Sequence, residues 1–407
     1  MAEELAEGLV AGGATRPAGF LADGVFCGIK EYDASLEKRD VGCLVSERPA
    51  TVAGVYTKNK VKAAPVLLDQ ERMQRGTTRG IVYCSGNANA CTGDQGMANA
   101  REMTALLAAQ IGVDAEDILV CSTGLIGHQL PMETVREGIS RLAPAKERHL
   151  EAATAMLTTD EWPKEAAAQF EANGTTYAVG GMCKGAAMIH PNMATMLAYL
   201  TTDAPVARDF LHATLKRVVD DSFHMISVDG DTSTNDTVLV LANGAAGGPE
   251  IDGGAAGAAL ENALRAVAVF LAKEIVRNAE GATKVFGVEV RGAGSLDAAR
   301  TIGRSVASSS LVKTAVLGSD PNWGRIMCAA GYSGVDFDPD KSSLWLEDIL
   351  LFHNGTPTDF DEDAASALLD KKQSMFILDL ADGDATSTAW GCDLTTEYVI
   401  FNSDYRT

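Results

Sequence analysis

The stretch of residues 184–204 constrains this chain most, because it is almost free of charge in an otherwise strongly acidic protein. A bend at Pro191 leads into Thr195, and the short apolar run 196–200 follows directly. Such a run is typical of a buried strand. The Thr195 hydroxyl would then begin a core strand in dry surroundings, where a nucleophile can be activated. The simpler alternative is a loop and strand in which that hydroxyl only satisfies a backbone group.

The chain is long enough to bury a substantial core. It has 407 residues, of which 46% are hydrophobic, and this size indicates two or three domains. Both halves mix predicted strands and helices without a regular βαβ rhythm. We therefore predict a layered α/β or α+β architecture with sheets packed inside helices.

The charge and the ends of the chain limit its partners and its location. A formal net charge of −21 argues against nucleic acid, because phosphate binding needs clustered Lys and Arg. No apolar run reaches the roughly 18 residues that cross a bilayer, and the acidic start MAEELAEGL is unlike a signal peptide. The eight cysteines form no C-x-x-C pair, as expected of buried thiols in a reducing compartment. We expect a soluble, cytoplasmic protein without a membrane partner.

Local patterns predict the elements of secondary structure. Residues 1–22 are acidic and Gly-rich without a period, so a flexible tail is expected there. Apolar runs between turn residues predict strands near 25–30, 41–46, 51–57, 80–84, 117–121, 176–180, 196–200, 224–228, 237–242, 285–291, 311–317, 374–381 and 396–402. Helical spacing of apolar residues predicts helices near 97–110, 131–142, 148–157, 207–222, 258–278, 296–306 and 363–371.

Familiar phosphate and calcium motifs do not fit. No G-x-x-x-x-G-K-[ST] occurs in the sequence. The loop DGDTSTND begins like a calcium loop, but Thr234 stands where a Gly is required. A magnesium role for Asp229, Asp231 and Asp236 remains an alternative to solvated turn residues, although we expect no metal site.

A Thr nucleophile without a His base can use its own α-amino group as the base. This mechanism requires a free N-terminus at Thr195, so the chain would have to be cut between Ala194 and Thr195. An α-amino group, with a pKa of about 7.7–8.0, is partly neutral near pH 7. The mechanism also requires an oxyanion hole. Thr123 and Gly124, at the end of a predicted strand, are candidates, and the alternative for this segment is a plain strand-ending turn.

Several short motifs run in order from about residue 20 to the C-terminus. They are SGNANACTG at 85–93, STGLIG at 122–127, LTTD at 157–160, KGAAMIHPNMATML at 184–197, DGDTSTND at 229–236, NAEGATK at 278–284, GSDPNWGRI at 318–326 and NSDYRT at 402–407. In this order they resemble the ornithine acetyltransferases, the glutamate N-acetyltransferases of the cyclic arginine pathway. The most specific element is ATML with a Lys eleven residues before its Thr.

The resemblance implies a fold and a maturation step. The fold would be an N-terminal-nucleophile-like αββα sandwich with a smaller second α/β domain. After the tail of residues 1–22, self-cleavage would leave an α chain ending at Ala194 and a β chain of residues 195–407. Residues from about 335 to 407 would contribute to the smaller domain and to a tail that closes over the substrate.

The resemblance also implies a ping-pong reaction and a set of site residues. Thr195 would take the acetyl group from N-acetylornithine and pass it to glutamate, with Thr123 and Gly124 as the oxyanion hole. Lys184 can pair with the α-carboxylate that both substrates share, and Glu280 with a substrate ammonium. The residues that would hold the substrate are Thr158, Lys184, Thr195, Glu280, Asn402 and Thr407.

Some properties stay open at this point. The resemblance implies no bound cofactor, but acetyl-CoA is a co-substrate of some members, and no residue decides this. An α2β2 heterotetramer or a larger assembly is expected from it. An amidase or aminopeptidase of the same fold, in which water resolves the acyl-Thr, is the nearest alternative. A non-catalytic scaffold that binds amino acids is another.

Overall fold

The computed structural model describes residues 8–30, 38–190 and 196–404. The strands are β1 Leu9–Val10, β2 Phe20–Val25, β3 Val41–Tyr56, β4 Thr77–Asn87, β5 Ile118–Leu125, β6 Lys164–Ala172, β7 Thr175–Lys184, β8 Leu197–Thr202, β9 Ile226–Ser227, β10 Thr237–Ala242, β11 Val285–Ala293, β12 Ser343–Leu346, β13 Ile349–His353, β14 Thr356–Pro357, β15 Gln373–Asp379 and β16 Ala385–Cys392. The helices are α1 Ala64–Arg72, α2 Gly93–Ile111, α3 Met132–Ser140, α4 His149–Met156, α5 Arg208–Asp220, α6 Gly254–Arg277, α7 Leu296–Ser308, α8 Ser310–Leu317, α9 Trp323–Gly331, α10 Glu362–Leu369 and α11 Thr396–Asp404.

These strands form two sheets. The first has the order β1-β6-β7-β8-β10-β3-β4-β5, with β2 also paired to β3. Strand β3 is shared between two parts of this sheet, because residues 41–46 pair with β2 and residues 51–56 pair with β10. Its pairing with β4 is irregular between Val45 and Ala50, and such an irregularity bends a strand. The predicted strands 41–46 and 51–57 are therefore two parts of one bent strand.

The first sheet curls so that its two halves face each other. Tyr83 of β4 and Tyr199 of β8 are both fully buried, and their ring centroids lie 5.3 Å apart although the two strands are not neighbours. Side chains alternate between the two faces of a strand. On β8, Leu197 and Tyr199 accordingly lie in this inner core, whereas Ala198 and Leu200 lie in the outer one.

Helices cover the outer faces of both halves. Helices α5 and α6 pack on the half that contains β6, β7, β8 and β10. Helices α1, α2 and α3 pack on the half that contains β4 and β5. Helix α4 contributes its alanines to the inner core. The layers follow one another as helix, sheet, sheet and helix, which is the αββα sandwich that the resemblance implies.

The second sheet has the order β14-β13-β12-β15-β11-β16-β9. It has its own apolar core with helices α7, α8, α9 and α10. All of its strands except β9 lie between Val285 and Cys392. This sheet and its helices form the smaller α/β unit.

Two predicted strands are helices, and in both cases a side-chain cap outweighs the apolar run. Residues 311–317 fall in α8, where the Ser309 hydroxyl accepts a hydrogen bond from the Val312 N–H and caps the helix. Residues 396–402 fall in α11. There, the Thr395 hydroxyl accepts from the Tyr398 N–H at 3.2 Å.

Residues 8–22 do not form the flexible tail that their composition predicts. Strand β1 pairs with β6, and the Thr201 hydroxyl donates to the Ala14 carbonyl at 2.7 Å. A Cβ at Gly180 would lie 2.2 Å from the Gly13 carbonyl oxygen. The absence of a side chain on β7 therefore lets this segment lie directly against the sheet.

Helix α6 is long and apolar enough to cross a membrane by length and composition alone. In the fold it packs against β6 and β7, and residues such as Leu264 and Leu271 are fully buried in the main core. Its apolar composition is therefore accounted for by packing on the sheet.

The contact between β2 and α4 can be tested at Gly24. A Cβ there would lie 2.2 Å from the Glu151 carbonyl oxygen and 2.8 Å from the Ala155 Cβ. We predict that Gly24→Ala lowers the free energy of unfolding by about 1–3 kcal/mol through overpacking, measured by urea denaturation. Gly331→Ala is the control, since no atom outside its chain neighbours and its own helix backbone lies within 4 Å of its Cβ position. Equal stability of the Gly24→Ala variant and the wild type would contradict this packing.

Candidate active site

A cavity of about 280 Å³ lies where the loops after β5 and β7 meet the C-terminal helix α11. The predicted site residues that belong to the described part of the chain all line it: Thr123, Gly124, Thr158, Lys184, Glu280 and Asn402. Long stretches of sequence separate these residues, and the fold brings them together around one cavity. Ala194, Thr195 and Thr407 lie outside the described residues.

The described residues on either side of the 191–195 segment border this region. Met188 lines the cavity. Met196 is buried, and its N–H donates to Asp236 Oδ1 at 3.1 Å. The N–H of Thr237 donates to the Met196 carbonyl at 3.1 Å, where β8 and β10 start side by side in parallel. The backbone of Met196 is thus held by Asp236, in the loop that precedes β10, and by Thr237 of β10.

The end of β5 requires a glycine. Gly124 has a φ of +132°, and a Cβ there would lie 2.3 Å from the Gly86 carbonyl carbon. Gly124 therefore lets β5 lie close to β4 while its backbone faces the cavity. Beside it, Asn235 donates through Nδ2 to the Ser122 carbonyl at 2.8 Å, which attaches this strand end to the loop before β10.

Asp160 connects two walls of the cavity. Its carboxylate accepts from the N–H of Thr158 at 3.1 Å, from the N–H of Gly185 at 2.8 Å and from Lys164 Nζ at 2.5 Å. Burial alone would raise the pKa of Asp160. The charges of Lys164 and Lys184 and these hydrogen bonds outweigh burial and hold the pKa well below its usual range. Asp160 is therefore a buried anion at neutral pH.

Buried lysines surround this anion. Lys30, Lys164 and Lys184 are each at most 5% exposed. Burial lowers the pKa of Lys30 to about 8 and also lowers the pKa of Lys184. Lys184 Nζ donates to the Thr123 hydroxyl at 3.2 Å. This wall of the cavity presents positive charge in a protein whose net charge is strongly negative.

Another wall of the cavity is acidic. Asn402 Nδ2 donates to Glu280 Oε2 at 2.9 Å, and the Tyr398 hydroxyl donates to Asp229 Oδ2 at 3.1 Å. Asp229 also accepts from the N–H of Ile189 at 2.9 Å, and burial raises its pKa. Helix α11 is therefore bonded to the acidic wall through two side chains. A molecule that carries both an anionic and a cationic group would complement this cavity.

The magnesium alternative for the Asp229 loop gains no support. Asp236 and Asp229 each accept backbone N–H groups, from Met196 and Ile189 respectively. Across residues 8–30, 38–190 and 196–404, no three His, Cys, Asp or Glu side chains come together as a metal ion would require.

The sequence did not predict the structural role of three polar residues that hold the site together, and one of them, Asp236, was considered only as a possible magnesium ligand. Asp160, Asn235 and Asp236 are all buried and bond to backbone groups around the cavity. Each belongs to a motif already noted, LTTD or DGDTSTND, so the signal was a polar residue inside a recognised motif. Their bonds to Gly185, Ser122 and Met196 span at least 25 residues of sequence, and only the fold reveals these contacts.

The Asp160 interactions can be tested by removing its charge. We predict that Asp160→Asn lowers the free energy of unfolding by about 3–5 kcal/mol at pH 7, because buried lysines lose their counter-ion. The folded-state pKa lies below the ordinary 3.8. The stabilisation is therefore complete above pH 3.8 and is lost as the pH falls below it. Denaturant titrations at pH 7 and pH 3 should give a smaller difference from wild type at pH 3.

The control for this prediction is Asp117→Asn. Asp117 pairs with Arg75 at 3.1 Å on the surface, and such a pair contributes only up to about 1 kcal/mol. A loss at Asp160 no larger than that at Asp117 would contradict the role assigned to the buried carboxylate.

Comparison with known proteins agrees with these features. Residues 21–407 match the ArgJ family. The chain is 52% identical over 401 residues to an "Arginine biosynthesis bifunctional protein ArgJ" of Symbiobacterium thermophilum, covering 98% of this chain and 99% of that protein. It is 48% identical over 399 residues to the protein of the same name from Thermotoga neapolitana, covering 96% and 99%.

A solved structure of a relative gives the same result. The crystal structure of arginine biosynthesis bifunctional protein argJ from Bacillus halodurans is 39% identical with a TM-score of 0.50. The match covers 98% of that chain but 51% of this one. With the family matched over nearly all of the sequence, this chain belongs to the ArgJ family.

Proposed function

We propose that this protein transfers an acetyl group from N2-acetyl-L-ornithine to L-glutamate, giving L-ornithine and N-acetyl-L-glutamate. The observation that carries the proposal is the cavity at which Thr123, Lys184 and Glu280 meet. Its cationic and acidic walls suit amino acids that carry both signs of charge. The names of the relatives, which refer to arginine biosynthesis, support the same substrates.

The α-carboxylate is the group that both substrates share, and N-acetylornithine also carries a side-chain ammonium. Lys184 would attract the α-carboxylate, with the Thr158 hydroxyl as a further hydrogen-bonding group. Glu280, with Asn402 beside it, would hold the side-chain ammonium of N-acetylornithine at the acidic wall. Thr407 would add the C-terminal end of the chain to this arrangement. The buried lysines raise the affinity for an anion that the net charge of the protein would otherwise repel.

The chemistry would proceed in two half-reactions. The α-amine of Thr195 takes the proton of its own hydroxyl, and the oxygen attacks the acetyl carbonyl of N-acetylornithine. The Thr123 hydroxyl and the Gly124 N–H would donate to the oxyanion. The C–N bond then breaks, ornithine leaves with the proton, and acetyl-Thr195 remains. The neutral amine of glutamate attacks this ester, and Thr195 regains its hydroxyl as N-acetylglutamate leaves.

The nucleophile would be released by cleavage between Ala194 and Thr195, giving chains of residues 1–194 and 195–407. The match of one half of this chain to nearly a whole solved chain is what a divided family member would give. Thr123 and Lys184 come from the first half, and Glu280 and Asn402 from the second. The two halves would therefore have to stay together, and we propose an α2β2 heterotetramer or a larger assembly in the cytoplasm.

A second acetyl donor is part of the proposal, because the relatives are named bifunctional. Acetyl-CoA in place of N-acetylornithine would give N-acetylglutamate through the same acetyl-Thr195. An assay with each donor, beside a control that follows release of free acetate, distinguishes a transferase from a hydrolase of the same fold. Release of acetate at the rate of donor consumption would contradict the transferase.

Cleavage between Ala194 and Thr195 can be tested directly. We expect intact-mass spectrometry of the wild type to detect two fragments that meet at Ala194 and Thr195. Thr195→Ala should remain one chain without acetyl transfer. Thr176→Ala is the control, since Thr176 is exposed at the start of β7, and it should be cleaved and active. A wild-type chain that is fully active without being cleaved would contradict the mechanism.

The role of Glu280 in the acidic wall can be tested by removing its charge. Glu280→Gln keeps the shape and the bond to Asn402 but removes the charge that would face a substrate ammonium. A hydrogen bond to a charged group contributes about 1.5–3 kcal/mol, so kcat/KM for N-acetylornithine should fall by about tenfold or more. Glu397→Gln, on an exposed acid of the nearby helix α11, should leave it unchanged. Equal values for both variants would argue against this binding role.

A further inference from the structure

The buried side chain of Lys184 donates a hydrogen bond to a hydroxyl group. Its Nζ lies 3.2 Å from the Thr123 hydroxyl oxygen, and both residues are at most 3% exposed. Within the described residues, no carboxylate lies at ion-pair distance from Lys184, and this hydroxyl is its hydrogen-bond acceptor. A buried ammonium that faces a hydroxyl instead of a carboxylate determines how that hydroxyl is oriented.

The direction of this hydrogen bond is fixed by chemistry. An ammonium has no lone pair, so Lys184 must donate and the Thr123 oxygen must accept. The hydrogen of the Thr123 hydroxyl then has to be directed elsewhere. No acceptor for it occurs among the residues that the structure describes, and Thr123 lines the cavity. The hydroxyl is therefore oriented to donate into the cavity.

We propose that Lys184 is a positioning residue for the oxyanion hole, which orients and polarises the Thr123 hydroxyl so that it donates to the developing oxyanion. The inference rests on the proposed function and adds a role in the chemical step to that of holding a carboxylate. A hydroxyl that accepts a charged donor becomes a stronger donor itself. Because that donation counts mainly in the transition state, the contribution of Lys184 falls on kcat.

The surroundings hold Lys184 in place for this role. The neighbouring Gly185 N–H is bonded to Asp160 at 2.8 Å, which fixes the end of β7. The titratable groups that face Lys184 are Asp160, Glu280 and Asp236, whose negative charge favours its protonation, and Lys164 and Lys30, which oppose it. Burial raises the pKa of Asp236, so its contribution is weakened. Burial outweighs the attraction and lowers the pKa of Lys184 from 10.5. A neutral Lys184 could accept from Thr123, which would turn the hydroxyl away from the oxyanion.

A double-mutant cycle tests this coupling. Thr123→Val removes the hydroxyl, Lys184→Met removes the ammonium, and the double variant removes both. For ornithine release from N-acetylornithine, Thr123→Val should lower kcat by about 10²–10³-fold, as for loss of one oxyanion donor. Lys184→Met should lower kcat about tenfold or more, and the double variant should be no worse than Thr123→Val alone. A product of the two effects in the double variant, or a change in KM alone for Lys184→Met, would overturn the proposal.

A second variant keeps the test decisive if Lys184→Met does not fold or is not cleaved, which thermal melting and intact mass will reveal. Lys184→Arg retains a cation that does not lose its proton. The wild-type kcat should fall on the alkaline side, at a pH below 10.5, as Lys184 becomes neutral, and the Arg variant should lack this fall. The same alkaline fall in both would contradict the proposal. An inactive wild type would instead refute the proposed function, which separates the two failures.

Discussion

The buried carboxylate of Asp160 is the interaction on which the cavity depends. It holds the loop of Thr158 and the end of β7 together through their backbone N–H groups, and it is the counter-ion of Lys164. Buried charges are costly unless they are paired and hydrogen-bonded. Once Asp160 is fixed, Lys184 can remain buried at the cavity wall and bond to Thr123. The positive wall is therefore a consequence of one well-satisfied anion in the core.

The curled sheet explains why the cavity has parts from so many segments. Thr123 and Lys184 are 61 residues apart, and Glu280 and Asn402 are 122 apart, yet all four meet at one edge of the sandwich. The parallel pair β8 and β10 starts at this edge. Asp236 therefore reaches the Met196 N–H at 3.1 Å, directly after Thr195. Buried strand ends therefore form the framework of this edge.

Local patterns predicted some elements of this fold and failed where capping or tertiary packing outweighs them. The run 237–242 is strand β10 as predicted, because both of its faces are buried. The strand predicted at 311–317 is wrong, because Ser309 caps a helix there. Strand β6 was not predicted, because its Ala-rich sequence has little strand propensity. The site residues were predicted from motifs that resemble those of the ornithine acetyltransferases. The role of Asp160 could not be predicted, since its bond to Gly185 is apparent only when β6 and β7 pair.

The central claim is that acetyl transfer passes through Thr195 within this cavity. The most direct measurement is the intact mass of the protein after incubation with N-acetylornithine alone, followed by peptide mapping. The account predicts that the fragment beginning at Thr195 becomes one acetyl group heavier at its first residue and returns to its original mass when glutamate is added. An active enzyme that never carries an acetyl group, or carries it on another residue, would contradict the account.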